Sequence, residues 1–313
     1  MTVATAPGKI ILFGEHAVVY GRSAIAAPVS QLRATVVIEN SKSRDVQLIA
    51  PQIQRKRVLS NAPDNDPFAM TVRLFVKAAR IPFVTNLNIT IQSDIPIAGG
   101  MGSGAAITAA MIRGLANHYN KTDLLDPAWL SELTYEVEKI HHGTPSGIDN
   151  TVVSYEQPLF FIKAAPKNVI EPFTVGKPLQ FLIGITGIRS QTKLVVSDVR
   201  AQWEAAPQRF EAIFDACGEI AKKARQMIQV GDARQLGALM NKNQQLLMEM
   251  TVSSPELNRL TDTANQAGAL GAKLSGAGRG GNMIALVTNE SETAVKQALL
   301  KAGATAVYAT TLA

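Results

Sequence analysis

Residues 94–106 read Asp-Ile-Pro-Ile-Ala-Gly-Gly-Met-Gly-Ser-Gly-Ala-Ala, with glycine at 99, 100, 102 and 104. Before them runs Leu87-Asn-Ile-Thr-Ile-Gln-Ser93, whose apolar–polar alternation predicts a half-buried strand. After them, Ala105-Ala-Ile-Thr-Ala-Ala-Met-Ile-Arg-Gly-Leu-Ala116 predicts a helix. A strand, a glycine turn and a helix start leave several backbone N–H groups aimed at one place, where the positive end of the helix dipole also lies. Glycine removes the Cβ atoms that would keep a ligand off that backbone. The place suits a phosphate.

Two other glycine patterns compete for this turn. Gly-x-Gly-x-x-Ala also matches a dinucleotide-binding turn, but that motif needs a leading βαβ unit and an acidic residue about 20 positions on, at a strand end. The acidic residue at that distance, Asp123, lies in a polar loop. No Gly-x-x-x-x-Gly-Lys-[Ser/Thr] occurs, which excludes a P-loop. A second pattern, Gly276-x-Gly278-x-x-Gly281, joins two apolar strand-like runs instead of opening a helix. A loop in close approach to a bound ligand fits it better than a dinucleotide turn.

The wider pattern is α+β. Thr2–Ala6, Ile10–Phe13, Gln31–Asn40 and Leu87–Ser93 read as strands, and two Asp-Pro pairs, Asp66-Pro67 and Asp126-Pro127, read as helix starts with aspartate as N-cap. The second half predicts a strand (Leu179–Ile185), four helical runs (Thr192–Ala205, Pro207–Val230, Asp232–Met250, Pro255–Ala267), two strands around the second glycine loop, a helix (Glu290–Ala302) and a last strand (Ala304–Thr310). A domain boundary is expected within the loop-like stretch 165–178.

Composition excludes several classes. The 313 residues carry 31 Lys and Arg against 25 Asp and Glu, a net charge of +6, yet no block of five or six basic residues. Aromatic residues are 5%, too few to furnish a base-stacking surface, so a small anion is a better use of the positive surplus than nucleic acid. No stretch reaches the ~18 apolar residues of a membrane span, and the N-terminus has neither the charged start nor the apolar core of a secretory signal. The single cysteine, Cys217, forms no intrachain disulfide and is expected to be a buried apolar residue in a reducing, cytoplasmic setting.

Three further segments hold side chains with chemical capacity. In Pro7-Gly-Lys-Ile-Ile-Leu-Phe-Gly-Glu-His16, Lys9 is expected at a strand start, with Glu15 and His16 on a turn facing a cleft. In Glu138-Lys-Ile-His-His-Gly-Thr-Pro-Ser-Gly-Ile-Asp-Asn150, Glu138 falls near a helix end and Gly143, Pro145 and Gly147 predict a tight loop that presents Asp149. Glu138, His141 and His142 have the spacing of a metal-binding helix face, but no second cluster accompanies them; a carboxylate holding Mg²⁺ beside a nucleotide is the better reading. The third segment is the 272–287 stretch around Gly276 and Ala277.

Together, in this order, these segments resemble the GHMP kinases. Within that superfamily Pro7-Gly-Lys9, Gly14-Glu-His-Ala-Val-Val-Tyr-Gly21 and the 138–150 stretch are most similar to the mevalonate kinase family, as is Thr251-Val-Ser-Ser-Pro-Glu-Leu257. The resemblance implies a two-domain GHMP kinase fold: an N-terminal ribosomal-S5-like β/α domain (1–170, ATP-binding and catalytic) and a C-terminal ferredoxin-like α+β domain with extra helices (171–313). It implies ATP-dependent phosphorylation of the 5-hydroxyl of mevalonate, with Mg²⁺ as cofactor, in a cytoplasmic enzyme that forms a homodimer in some relatives. By the family pattern Asp149 acts as base and Lys9 stabilises it; Ala98, Gly99, Gly100, Met101, Gly102, Ser103, Gly104 and Ala105 bind ATP. Glu138 and Ser103 hold the metal, and Glu15, His16, Thr192, Gly276 and Ala277 lie on the substrate side. The chain departs from the pattern twice. The usual loop has two consecutive serines where this one has Ser103-Gly104, so either Ser103 or water takes the second serine's place. Arg279 stands at a usual glycine and either meets phosphate or points to solvent. Other readings remain: a phosphomevalonate kinase, a sugar kinase, a mevalonate-type decarboxylase, or a non-catalytic ligand sensor.

Overall fold

Both Asp-Pro pairs open helices. The Asp66 carboxylate accepts hydrogen bonds from the N–H groups of Phe68 and Ala69, and Asp126 accepts from those of Ala128 and Trp129. The computed structural model describes every residue except Ile97, Ala98, Gly143 and Thr144 and the side chains of His141 and His142. In chain order the first elements are β1 (Thr2–Phe13), β2 (Ser23–Asn40), β3 (Gln47–Ala50), β4 (Arg55–Val58), α1 (Pro67–Ala79), β5 (Leu87–Ser93), α2 (Ser103–His118), α3 (Pro127–His142) and α4 (Ile148–Tyr155). Then follow β6 (Leu159–Ile162), β7 (Val169–Pro172), β8 (Leu179–Ile185), α5 (Thr192–Ala205), α6 (Pro207–Val230), α7 (Ala233–Glu249), α8 (Pro255–Gln266), β9 (Gly271–Ser275), β10 (Asn282–Val287), α9 (Glu292–Lys301) and β11 (Ala306–Leu312).

Two compact units share the chain. Met1–Lys9, Leu32–Pro96 and Gly102–Glu156 form the first; Ile10–Gln31, Ile97–Met101 and Gln157–Ala313 form the second. In the first unit the later part of β2 pairs antiparallel with β5, from Ala34↔Ser93 to Asn40↔Leu87. β3 runs parallel to β5 and antiparallel to β4, so this sheet is mixed. Helix α2 packs against α1, α3 and α4 and is buried along most of its length. Its alanines and Gly114 let it lie close to the strands: a Cβ at Gly114 would sit 3.0 Å from Ile38 Cδ1.

In the second unit β11-β8-β10-β9 form a sheet of antiparallel neighbours. Numbered within that sheet, the order is 4-1-3-2 with helices after the first and third strands, the ferredoxin-like βαββαβ arrangement. Four helices, α5–α8, fill the first connection, which accounts for the extra helices expected there. Phe210, Phe214, Leu247, Leu274, Met283 and Ala285 belong to one buried core. Full burial of each large apolar side chain is worth roughly 1.5–3 kcal/mol. Cys217 is part of that core, its thiol pushed up to about 12 by burial, which fits the inert role expected for it.

Four local expectations needed revision. β1 is one strand through Pro7-Gly8, not two. β2 begins at Ser23, eight residues before the expected start. The loop-like stretch 165–178 contains β7. The segment expected to present Asp149 from a loop contains α4.

Candidate active site

Lys9 ends the first unit's share of β1 and is 4% exposed. Its stem lies against Gly102, the N-cap of α2. A Cβ at Gly102 would meet Lys9 Cγ at 3.0 Å and Cε at 3.3 Å, and the residue has φ 68°, so the position demands glycine on two grounds. Asp149 arrives from another helix start. Gly147, at φ 91°, is the N-cap of α4, and Asp149 sits in its first turn, where the helix dipole favours a carboxylate. Asp149 Oδ1 is 3.0 Å from Lys9 Nζ, with the lysine side chain 5% exposed and the aspartate 30%. Asp149 Oδ2 also lies 3.5 Å from the point where a Gly102 Cβ would be. A cation and a carboxylate therefore meet at the N-terminus of α2.

Glu138 comes from the last turns of α3 and is 3% exposed. Its Oε1 is 3.1 Å from where a Cβ at Gly104 would stand, which places the carboxylate against the first turn of α2. Burial, and secondarily the Asp149 charge, push the Glu138 carboxyl up to about 8, with Lys9 opposing. Gly104 leaves space beside that oxygen where the related pattern has a serine. Ser103 is the first residue of α2. Glu138 and Ser103 offer hard oxygen donors of the kind a divalent cation takes, close to the Lys9–Asp149 pair. No group of three or more His, Cys, Asp or Glu suited to a metal exists among the described residues. The donor set thus fits Mg²⁺. The Glu138–His141–His142 spacing, set aside above as a metal face, involves side chains outside the described residues, and Ala98, expected to bind ATP, also lies outside them.

In the second unit Glu15 and His16 do occupy a turn, but both are buried, at 1% and 7% exposure. The turn is forced by Gly14, at φ 87°, where a Cβ would fall 2.5 Å from the Ser23 carbonyl oxygen. Glu15 pairs with Lys273 of β9, and both side chains are 0% exposed. His16 Nε2 lies 2.9 Å from the Ala277 carbonyl oxygen, so Nε2 carries the hydrogen and donates. Burial holds His16 down to about 4. Ser275 Oγ donates to the Ile11 carbonyl at 2.9 Å and accepts from the Ile11 N–H at 3.0 Å. Gly276, at φ 96°, faces open space: a Cβ there meets nothing within 4 Å. Thr192 opens α5 and is exposed. The segment leading to it is stitched to the glycine loop by Ser190 Oγ donating to the Gly278 carbonyl at 2.6 Å. Arg279 pairs with Asp198 and donates to the Thr251 carbonyl at 3.0 Å. Asn282 donates to the Gly99 carbonyl, and a Cβ at Gly100 would stand 3.2 Å from its Nδ2.

Sequence reasoning passed over Lys273 and Asn282. The available signal was polarity out of place: a lysine inside the strand-like Gly271–Ser275, and an asparagine heading the apolar run 282–287.

The burial of His16 has a consequence for stability. The folded chain holds it neutral down to about pH 4, whereas an unfolded chain protonates it below its ordinary 6.5. Its contribution is complete above pH 6.5 and declines as pH falls from 6.5 to 4, by about 3 kcal/mol in all. Urea unfolding at stepped pH is expected to show this slope, and His16→Gln to flatten it. Parallel profiles for the two proteins would mean that His16 titrates normally.

Comparison with known proteins agrees with this geometry. Residues 68–157 match the family model for the GHMP kinases N terminal domain, and residues 220–305 match that for the GHMP kinases C terminal. The chain belongs to the GHMP kinase family. Among its relatives, a mevalonate kinase of Thermococcus sibiricus is 33% identical over 94% of this chain and 92% of its own. Among solved structures, L. major mevalonate kinase in complex with R-mevalonate superposes with a TM-score of 0.87 at 29% identity, covering 100% of this chain and 96% of the other. The Methanococcus jannaschii mevalonate kinase gives 0.85 at 29%, covering 99% and 96%.

Proposed function

We propose that this chain transfers the γ-phosphoryl group of ATP to the 5-hydroxyl of mevalonate, giving 5-phosphomevalonate and ADP for isoprenoid precursor synthesis. The Lys9–Asp149 pair at the N-terminus of α2 is the observation that carries this reading. Phosphoryl transfer needs positioning and charge neutralisation more than covalent help. The turn 98–105 and the first N–H groups of α2 cradle the triphosphate. Asp149 accepts the proton of the hydroxyl as its oxygen bonds to the γ-phosphorus and the bond to the β–γ bridging oxygen breaks. Lys9, 3.0 Å from the Asp149 carboxylate, stabilises the developing alkoxide. Glu138 and Ser103 would hold Mg²⁺, which would neutralise phosphate charge. By the family pattern Glu15, His16, Thr192, Gly276 and Ala277, all in the second unit, serve the substrate side. In this reading residues 1–170 form the ATP-binding and catalytic domain and 171–313 the C-terminal GHMP domain. A cytoplasmic enzyme, and a homodimer, fit it; no helix among the described residues is long and apolar enough to cross a membrane.

ADP release measured with mevalonate, phosphomevalonate, galactose and homoserine in turn tests the assignment. Turnover confined to mevalonate supports it, and preference for any of the others overturns it.

A second test concerns the metal. Because Glu138 keeps its proton up to about pH 8, a cation there must displace that proton. At subsaturating Mg²⁺, activity is expected to rise with pH toward 8, and added Mg²⁺ to move that rise to lower pH. A rise whose position ignores the Mg²⁺ concentration would remove Glu138 from the metal site.

A further inference from the structure

Helix α2 carries more than a phosphate-facing end. Beyond its middle, Arg113 Nη1 donates to the Thr5 carbonyl at 2.9 Å and to the Glu156 carboxylate, and Nη2 donates to the Ser154 carbonyl at 3.0 Å and the Val153 carbonyl at 3.4 Å. Thr5 is on β1, four residues before Lys9. Val153 and Ser154 lie in the last turn of α4, whose first turn holds Asp149, and Glu156 is its left-handed C-cap at φ 52°. One guanidinium, 17% exposed, therefore joins the helix that receives phosphate, the strand that carries the cation and the helix that carries the carboxylate. Arg33 supports the same knot: its Nε donates to Thr5 Oγ1 at 2.9 Å and its Nη2 to Glu156 at 2.8 Å.

The chemistry of a helix end explains why arginine is used. The last carbonyls of a helix lack intrahelical partners, and a cation there also answers the negative end of the dipole. A planar fork reaches two carbonyls, a third on the neighbouring strand and a carboxylate together; an ammonium does not. An eight-residue helix has little stability of its own, so its direction is set by what holds its ends. Asp149 is five residues from Ser154, about 7 Å along the axis, so a tilt at the Arg113 end displaces the carboxylate by a comparable amount. A misplacement near 1 Å costs on the order of 10²-fold in rate.

We propose that Arg113 is a positioning residue for phosphoryl transfer: by clamping the C-terminus of α4 and β1 to α2 it sets the Lys9–Asp149 geometry without touching either substrate. This rests on the function proposed above. The test is a double-mutant cycle with wild type, Arg113→Lys, Asp149→Asn and the pair, each checked for folding by circular dichroism and thermal unfolding. Arg113→Lys is expected to lower kcat roughly tenfold or more with KM for ATP changed less than about twofold. In the Asp149→Asn background the same change is expected to cost less than about twofold, because the group it positions is already disabled. Equal factors in both backgrounds, or a folded Arg113→Lys enzyme with unchanged kcat, overturn the proposal. Should Arg113→Lys not fold, Glu156→Gln, which leaves the carbonyl contacts in place, is read in the same cycle by the same criteria. No turnover of mevalonate by the wild type would sink the functional reading; turnover with an additive cycle sinks only the role of Arg113.

Discussion

Lys9→Met and Asp149→Asn are each expected to lower kcat by roughly 10²–10⁴-fold, the usual worth of a positioned proton acceptor and its electrostatic partner, while ATP binding stays nearly unchanged. Methionine keeps most of the stem that packs on Gly102, and asparagine keeps the shape of the aspartate, so each substitution removes charge with little change in volume. The nucleotide's main contacts in this reading are backbone N–H groups at the start of α2, which neither change disturbs. The two residues act as one unit 3.0 Å apart, so the double variant should fall little below the worse single one. Steady-state kinetics with mevalonate and Mg-ATP, beside nucleotide binding by calorimetry, reads both quantities. Near-normal kcat in both single variants would remove the pair from the chemistry.

The second large effect is on stability. Glu15 and Lys273 form an ion pair with no solvent exposure on either side chain, and Lys273 also donates to the Leu274 carbonyl at 2.7 Å. Burial pulls the Lys273 ammonium below its usual range, and the Glu15 charge is the main influence resisting that shift. Breaking such a pair from one side costs about 3–5 kcal/mol, because a charge is left in a medium that solvates it poorly. Glu15→Gln and Lys273→Met should each lose that much in urea unfolding. Replacing both by apolar residues, Glu15→Leu with Lys273→Met, should lose less than either alone. Simple additivity of the two single losses would mean that the pair is not coupled in the folded protein.

Much of the fold was legible because long amphipathic runs declare themselves. The helices of the second unit, the strands 179–185, 271–275 and 282–287, and both aspartate caps follow from periodicity and Asp-Pro pairs. The misses have local causes. Pro7-Gly8 reads as a break, yet among the described residues β1 pairs with β2 alone, so an absent N–H there is tolerated. Pro28 similarly concealed the first part of β2. β3, β6 and β7 have four residues each, too few to show a period. α4 was hidden by its composition: Asp149, Asn150 and Thr151 are weak helix formers, and tertiary contacts compensate, with Asn150 donating to Ser131 Oγ at 2.9 Å and to its carbonyl at 3.1 Å. The positions of Lys9, Asp149, Glu138 and the glycine turn were readable from motif order. The Arg113 knot was not, because most of its partners are backbone carbonyls, which have no signature in a sequence, and its carboxylate, Glu156, is 43 residues away.

The distance along the chain between Glu15 and Lys273 also has a temporal meaning. Their 258-residue separation is matched by that of Ile11 and Ser275, at 264. At translation speeds of 5–20 residues per second, the glutamate leaves the ribosome tens of seconds before its lysine is made. Through that interval Ser23–Ala26 can already pair with Leu159–Ile162, whereas the contacts of Ile11 and Glu15 with Ser275 and Lys273 close only near the end of synthesis.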